Sequence, residues 1–166
     1  EIASCLVGSE MCIRDSNMTA DEAATALARF ANITGMATDN YGRLGSVIVD
    51  LGNNFATTES EIVAMGTRLA SAGKLAGLTE PEIMALAAAM SSVGIEAEAG
   101  GTAMTQTLNA IEKAVAKGGD DLAEFARIAG MSSEEFSSAW KNDAMSALTS
   151  LSLIHISEPT RQEAIS

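Results

Sequence analysis

The chain has 166 residues, a formal net charge of −12 at pH 7, 47% hydrophobic residues and only 4% aromatic ones. An acidic surface of this kind repels phosphate, which argues against nucleic-acid binding, and no apolar run is long enough to cross a bilayer. The cysteines (Cys5 and Cys12) and the only histidine (His155) lie near the ends. Residues 17–150 therefore lack the side chains for a disulfide, a Cys/His zinc site or a Ser-His-Asp triad.

Residues 17–150 have the length of one ordinary domain and carry helix signals throughout. Apolar residues recur at helical spacing, as at Leu108, Ile111 and Val115. The one β-like triplet, residues 47–49, is too short for a separate strand, so we expect it to be helical. In chain order the sequence predicts helices at residues 19–33, 38–51, 58–76, 79–93, 97–117, 120–129 and 132–147.

Several helix starts carry the capping-box pattern, in which a hydroxyl residue is followed three positions later by Glu, so that each side chain binds a backbone N–H of the other residue. The pairs are Thr19/Glu22, Thr58/Glu61, Thr79/Glu82 and Ser132/Glu135. Glycines follow most of the predicted helices, as is typical where an α-helix ends at a residue with the left-handed backbone conformation. These glycines are Gly35, Gly52, Gly77, Gly94, Gly118, Gly119 and Gly130. The pattern predicts an all-α fold of helical hairpins or a bundle, with capping-box helices punctuated by glycine.

One polar stretch has the residue types of a reactive site. Glu96 and Glu98 would suit a general acid and base, but acidic residues at a helix start also favour its N-terminal dipole, and we expect the second role. The glycines around them lack the Lys-Ser/Thr of a phosphate loop. We therefore predict no catalytic, cofactor-binding or metal-binding residue. Methionines of this region are expected to fill the core: Met65, Met84, Met90 and Met104.

Phe136 and Trp140 are the only residues that we single out for contact with a partner. They lie four residues apart, so they share one face of the last predicted helix. That face is expected to anchor the helix against the core. The alternative is a docking site for another protein, because aromatic side chains are enriched at interfaces.

The terminal segments, residues 1–16 and 151–166, resemble translated library-adapter DNA. Residues 6–16 (LVGSEMCIRDS) match a transposase-type adapter, and residues 153–161 (LIHISEPTR) are codable by its opposite strand. The outermost residues of both ends satisfy the same relation, which two natural termini would almost never do. We therefore expect both segments to be adapter-derived and residues 17–150 to be the protein region itself.

Residues 79–145 resemble a region shared by tail tape-measure proteins of phages and prophages. The matching stretches are SVGIEAEAGGTAM (92–104), AGMSSEEF (129–136) and AWK (139–141), and residues 53–76 fit the same region. The resemblance covers roughly two thirds of residues 17–150. It implies a long helical protein inside the tail tube, whose length sets the tube length during assembly and which leaves the tube when DNA is ejected.

The resemblance further implies an internal fragment of a structural protein rather than an enzyme, with no cofactor. The expected partners are further copies of the chain and the proteins of the tail tube and its assembly; neither direct nucleic-acid binding nor a transmembrane segment is expected. The expected location is the lumen of the phage tail in the virion, after assembly in the bacterial cytoplasm. A helical protein–protein adaptor without catalytic activity is the alternative.

Overall fold

The computed structural model describes residues 19–157 and contains no strand within them. The α-helices are α1 (Ala20–Thr34), α2 (Tyr41–Asn54), α3 (Glu59–Leu75), α4 (Glu80–Ser92), α5 (Ala97–Lys117), α6 (Asp120–Ile128), α7 (Ser133–Asn142) and α8 (Ala144–Ser157). A 3-10 turn (Thr38–Asn40) leads into α2. The predicted all-α fold is confirmed, and residues 47–49 are helical as expected.

Every predicted capping box forms. At the start of α4, the backbone N–H of Thr79 donates to Glu82 Oε2 at 2.7 Å, and the N–H of Glu82 donates to Thr79 Oγ1 at 3.4 Å. The same reciprocal pair opens three other helices: Thr19/Glu22 at α1, Thr58/Glu61 at α3 and Ser132/Glu135 at α7. These side chains satisfy backbone donors that the first turn of a helix leaves without a partner, and they fix where each helix begins.

Most of the predicted glycine positions have the left-handed backbone expected between helices. The φ angles are positive at Gly35, Gly77, Gly94, Gly118, Gly119 and Gly130. Gly52 is the exception, and the prediction that it ends a helix is wrong, because α2 continues to Asn54. Gly52 instead lies against the side chain of Glu59, where an added methyl carbon would be 2.7 Å from Oε1. A close approach, rather than a turn, therefore explains this glycine.

The last predicted helix, residues 132–147, is also wrong as a single element, because it divides into α7 and α8 at Asp143. Asp143 has a non-helical backbone (φ −153°, ψ 84°). Its carboxylate accepts the hydroxyl of Ser146 at 2.6 Å and the backbone N–H of Ser146 at 2.9 Å. These two bonds, the hydroxyl first, lower the pKa of Asp143. Asp143 is thus the N-cap of α8, whose backbone extends to Ser157.

The chain divides into two compact units. Of the described residues, unit 1 holds 19–74 and 79–106, and unit 2 holds 75–78 and 107–157. In unit 1, α2 packs against α4, and α3 approaches α4 and α5 closely at glycines. The fully buried side chains of unit 1 include Phe30, Ile62, Met65, Leu69, Ile83 and Met84. Met90 is buried too, whereas Met104 is half-buried, so the methionine prediction holds for three of the four residues.

In unit 2, α7 packs against both α6 and α8. The described part of α5 that belongs to this unit contributes Leu108, Ile111, Ala114 and Val115 to the buried set. The spacing of Leu108, Ile111 and Val115 predicted this buried face. Helices α6, α7 and α8 add further buried side chains to this core: Leu122, Ala126, Phe136, Trp140, Ala147 and Leu148.

Candidate functional site

Unit 2 contains a stack of aromatic rings that involves both residues singled out from the sequence. Phe136 lies between Phe125 and Trp140, with ring centroids 6.4 Å apart in each pair and interplanar angles of 10° and 25°. Phe125 is on α6, and the other two rings are on α7, one helical turn apart. Offset stacking at this separation stabilises the contact beyond the apolar area that it buries. The stack therefore holds α6 and α7 together.

The polar edge of Trp140 is also bonded within unit 2. Its indole Nε1–H donates to Glu112 Oε2, on α5, at 2.8 Å. Trp140 is only 2% exposed and Phe136 is fully buried. The rings are therefore covered by the fold, as the core-anchor interpretation expected. Docking of a partner through Phe136 and Trp140 stays a prediction, and it would require α7 to move away from its neighbours.

The acidic pair proposed from the sequence lies at the start of α5. Glu98 forms an ion pair with Arg68 of α3 at 2.7 Å, with both side chains largely exposed. Glu96 is exposed and precedes the first residue of α5. The two carboxylates therefore have the solvated positions expected of acidic residues at a helix start. An exposed ion pair of this type contributes little to stability, at most about 1 kcal/mol.

The carboxylates of Glu22, Glu61 and Glu135 have pKa values below the ordinary range of glutamate. For Glu22 and Glu61 the hydroxyl of the capping threonine lowers the pKa most, followed by the backbone N–H of the same threonine. For Glu135 the backbone N–H of Ser132 comes first and its hydroxyl second. Donors that bind the charged carboxylate favour ionisation, so these shifts have a structural cause in the caps.

Among the described residues, no cluster of His, Cys, Asp and Glu has the arrangement to hold a metal ion. No described helix is long and apolar enough to span a membrane. Each buried polar side-chain atom of the described residues has a hydrogen-bond partner. What unit 1 does offer is a surface groove between the starts of α3 and α5 and the end of α4, lined by Ser60, Glu61, Ala64, Met65, Ser91, Gly94, Ile95, Glu96 and Ala97.

Sequence reasoning missed this groove. Its residues come from three separate helices or their ends, and only the packing of α3, α4 and α5 brings them together. The exposed apolar residues beside it, Val93 and Ile95, gave one local signal, because they stand in a turn where polar residues are more usual.

A comparison with protein families identifies the class of protein. The model of the family described as phage-related minor tail protein matches residues 15–166. The chain belongs to this family. It matches no curated protein and no solved structure. The predicted resemblance to phage tail proteins is thus confirmed, and this minor tail protein has a structural role in the phage tail and is a component of the virion.

The finer predictions for this minor tail protein go beyond the family description. These are the tape-measure role, the location in the tube lumen and self-association. The adapter origin of residues 1–16 and 151–166 also stays a prediction. Residues 1–18 and 158–166 lie outside the described residues, so Cys5 and Cys12 are not placed in the fold.

Proposed function

We propose that this phage tail protein belongs to a tape measure, which sets the length of the tail tube during assembly. The observation that carries the proposal is the serial arrangement of its helices. Four of them begin at a complete local capping box, and left-handed glycines separate many of them. Such elements add length to a chain without depending on one shared reactive site.

The physical requirement of a ruler is that length follows residue number. An α-helix rises about 1.5 Å per residue, so residues 17–150 would span roughly 200 Å if the two compact units opened into one continuous helix inside the tail. In this proposal the chain lies in the tail lumen, further copies of it and the tube proteins are its partners, and it leaves the tube at DNA ejection. The net charge of −12 supports this placement, since an acidic chain does not bind DNA phosphates and delay their passage.

The test changes the number of residues in the full-length protein of the phage that encodes it. One variant deletes residues 19–150 in frame, and a second duplicates them. If the segment is extended and helical in the tail, tails shorten and lengthen by roughly 200 Å respectively, at about 1.5 Å per residue. Electron microscopy of negatively stained particles measures the two distributions of tail length.

A matched control replaces residues 19–150 with an unrelated helical segment of equal length, and tails of unchanged length are expected. Tails of the parental length in both the deletion and the duplication would overturn the tape-measure proposal. The proposal would also be overturned if the deletion variant made no tails and the unrelated segment of equal length did not restore them. Residues 19–150 would then be needed for their specific contacts and not for their length. That second result is the one that the adaptor alternative expects.

A further inference from the structure

We propose that the groove of unit 1 is a docking site for a short segment of another protein that carries a lysine or arginine beside an apolar side chain. The groove lies where α4 ends and α3 and α5 begin. The exposed residues Ala64 and Ile95 give it an apolar lining, and Glu96 adds a carboxylate just before α5. Met65 also borders the groove but is fully buried.

Exposed apolar side chains collect around this groove. Val93 is 73% exposed and Ile95 is 40% exposed, and both belong to the turn between α4 and α5. The hydroxyls of Thr57 and Ser91 are 2.7 Å apart, and this bond ties the segment that follows α2 to the end of α4. Single exposed apolar residues are common, but Val93 and Ile95 lie together in one turn at the edge of a groove, which is typical of an interaction surface.

The charges at the groove select the chemistry of the partner. Glu61 and Glu96 both line it. The N-termini of α3 and α5 each carry about half a positive charge, so two full carboxylates leave the groove negative by roughly one charge. The capping bonds from Thr58 also keep the pKa of Glu61 low, so its charge persists into mildly acidic solution. A cationic side chain is therefore attracted, and an anionic partner or an acidic lipid surface is repelled.

The same electrostatics argue against a second copy of this chain as the occupant. The chain has 22 acidic residues against 10 lysines and arginines, so few of its own segments offer this groove a net positive charge. Of the four basic residues in the described part of unit 1, Arg68 and Lys74 are already in ion pairs with Glu98 and Glu80. A separate protein with a basic and apolar segment meets neither obstacle.

A displayed library of random linear peptides, selected on the full chain, tests the proposal. Counter-selection uses the double variant Val93→Ser/Ile95→Ser, which keeps every charge of the protein. Enriched peptides are expected to combine Lys or Arg with apolar residues and to bind the double variant at least about tenfold more weakly. Val93→Ser alone, which retains Ile95 against Gly100, is expected to give part of that loss.

Two matched controls separate this groove from general attraction to an acidic protein. Leu75→Ser removes an apolar side chain that is 64% exposed and belongs to unit 2, and it should leave peptide affinity unchanged. Glu96→Gln should weaken binding, whereas Glu134→Gln, an equal charge change on α7, should not.

Several results would overturn the proposal. One is the enrichment of acidic or uncharged peptides, or of none. Another is an equal loss of affinity in Leu75→Ser or Glu134→Gln. A third is a dimer in sedimentation experiments that the double variant abolishes, because the occupant would then be a second copy.

Discussion

The two units share the same local signals but are held together by different side chains. Unit 1 relies on small residues that let helices approach closely: an added methyl carbon on Gly66 would lie 2.6 Å from Met84 Sδ, and one on Gly101 would lie 2.9 Å from Arg68 Cβ. Unit 2 relies on large rings, stacked from Phe125 through Phe136 to Trp140. Half of the chain's few aromatic residues therefore lie in one cluster in unit 2, whereas unit 1 packs mainly on aliphatic side chains, methionine and small residues.

This difference predicts which kind of substitution destabilises each unit. A ring cluster concentrates its stability in a few side chains, because each ring buries a large apolar area. Contacts at glycine distribute the stability over many residues, because each glycine contributes only by letting the backbones of two helices approach closely. Substitutions should consequently affect unit 2 through lost volume and unit 1 through added volume.

The largest effect is expected for Phe136→Ala in unit 2. The ring is fully buried between two others, so its loss should cost about 3–5 kcal/mol of unfolding free energy. Urea unfolding followed by the fluorescence of Trp140, the single tryptophan, reports on this unit. Phe55→Ala, at a side chain that is 45% exposed, is the control and should cost less than about 1 kcal/mol. Similar losses in both variants would show that the stack does not stabilise unit 2.

A smaller effect is expected in unit 1 for Gly101→Ala. The new methyl group would press on Arg68 Cβ, which cannot rotate away, so the helices must shift at a cost of about 1–3 kcal/mol. Gly45→Ala on α2 is the matched control: it meets nothing within 4 Å and should stabilise by about 0.5–1 kcal/mol through helix propensity. Amide hydrogen exchange in α2, α3 and α5 measures both. A stabilising Gly101→Ala would contradict close packing of α3 and α5.

The caps should respond equally in the two units. Thr79→Ala in unit 1 and Ser132→Ala in unit 2 each remove the hydroxyl of a complete capping box, at a cost of about 1 kcal/mol. Ser46→Ala removes a hydroxyl that only bonds Gly42 O within α2, and it should be neutral or slightly stabilising. Hydrogen exchange in the first turns of α4 and α7 checks the pair. A much larger loss in one unit would mean that its cap also supports tertiary packing.

The sequence predicted what depends on neighbouring residues. Capping boxes and left-handed glycines are satisfied within a few positions, so Thr79/Glu82 and Gly94 were found without knowledge of the fold. The prediction that Gly52 ends a helix was wrong because the role of this glycine depends on Glu59, a residue of the next helix whose side chain packs against Gly52. The break at Asp143 is not predicted from the sequence, because Asp143 caps α8 through Ser146, and the glutamate that marks a capping box is absent from that position.

The functional surfaces depended even more on distant residues. The spacing of Phe136 and Trp140 placed both on one face, but the burial of that face follows from Phe125 on α6 and Glu112 on α5. The groove of unit 1 similarly needs three helices to meet. Its charged and apolar residues look ordinary in the sequence, since each has a local explanation at a helix end.

The smallest expected effect is on pH dependence, and it again tests whether the units share their caps. The pKa of Glu135 is lowered in the folded protein, so the charged form stabilises the fold above the ordinary pKa of about 4.3, and this contribution is lost as pH falls through the folded pKa. Glu135→Gln should therefore flatten part of the decline in urea midpoint between neutral pH and about pH 3, as followed by Trp140 fluorescence.

Glu134→Gln removes the same charge at the adjacent position but leaves the capping box intact, so its decline should follow that of the wild type. The equivalent change in unit 1, Glu22→Gln, has the same sign, because Thr19 lowers the pKa of Glu22 in the same way. Its effect should appear in the hydrogen exchange of α1 and not in the fluorescence of Trp140. If Glu135→Gln and Glu134→Gln gave the same profile, the pH dependence would come from the overall negative charge rather than from the caps.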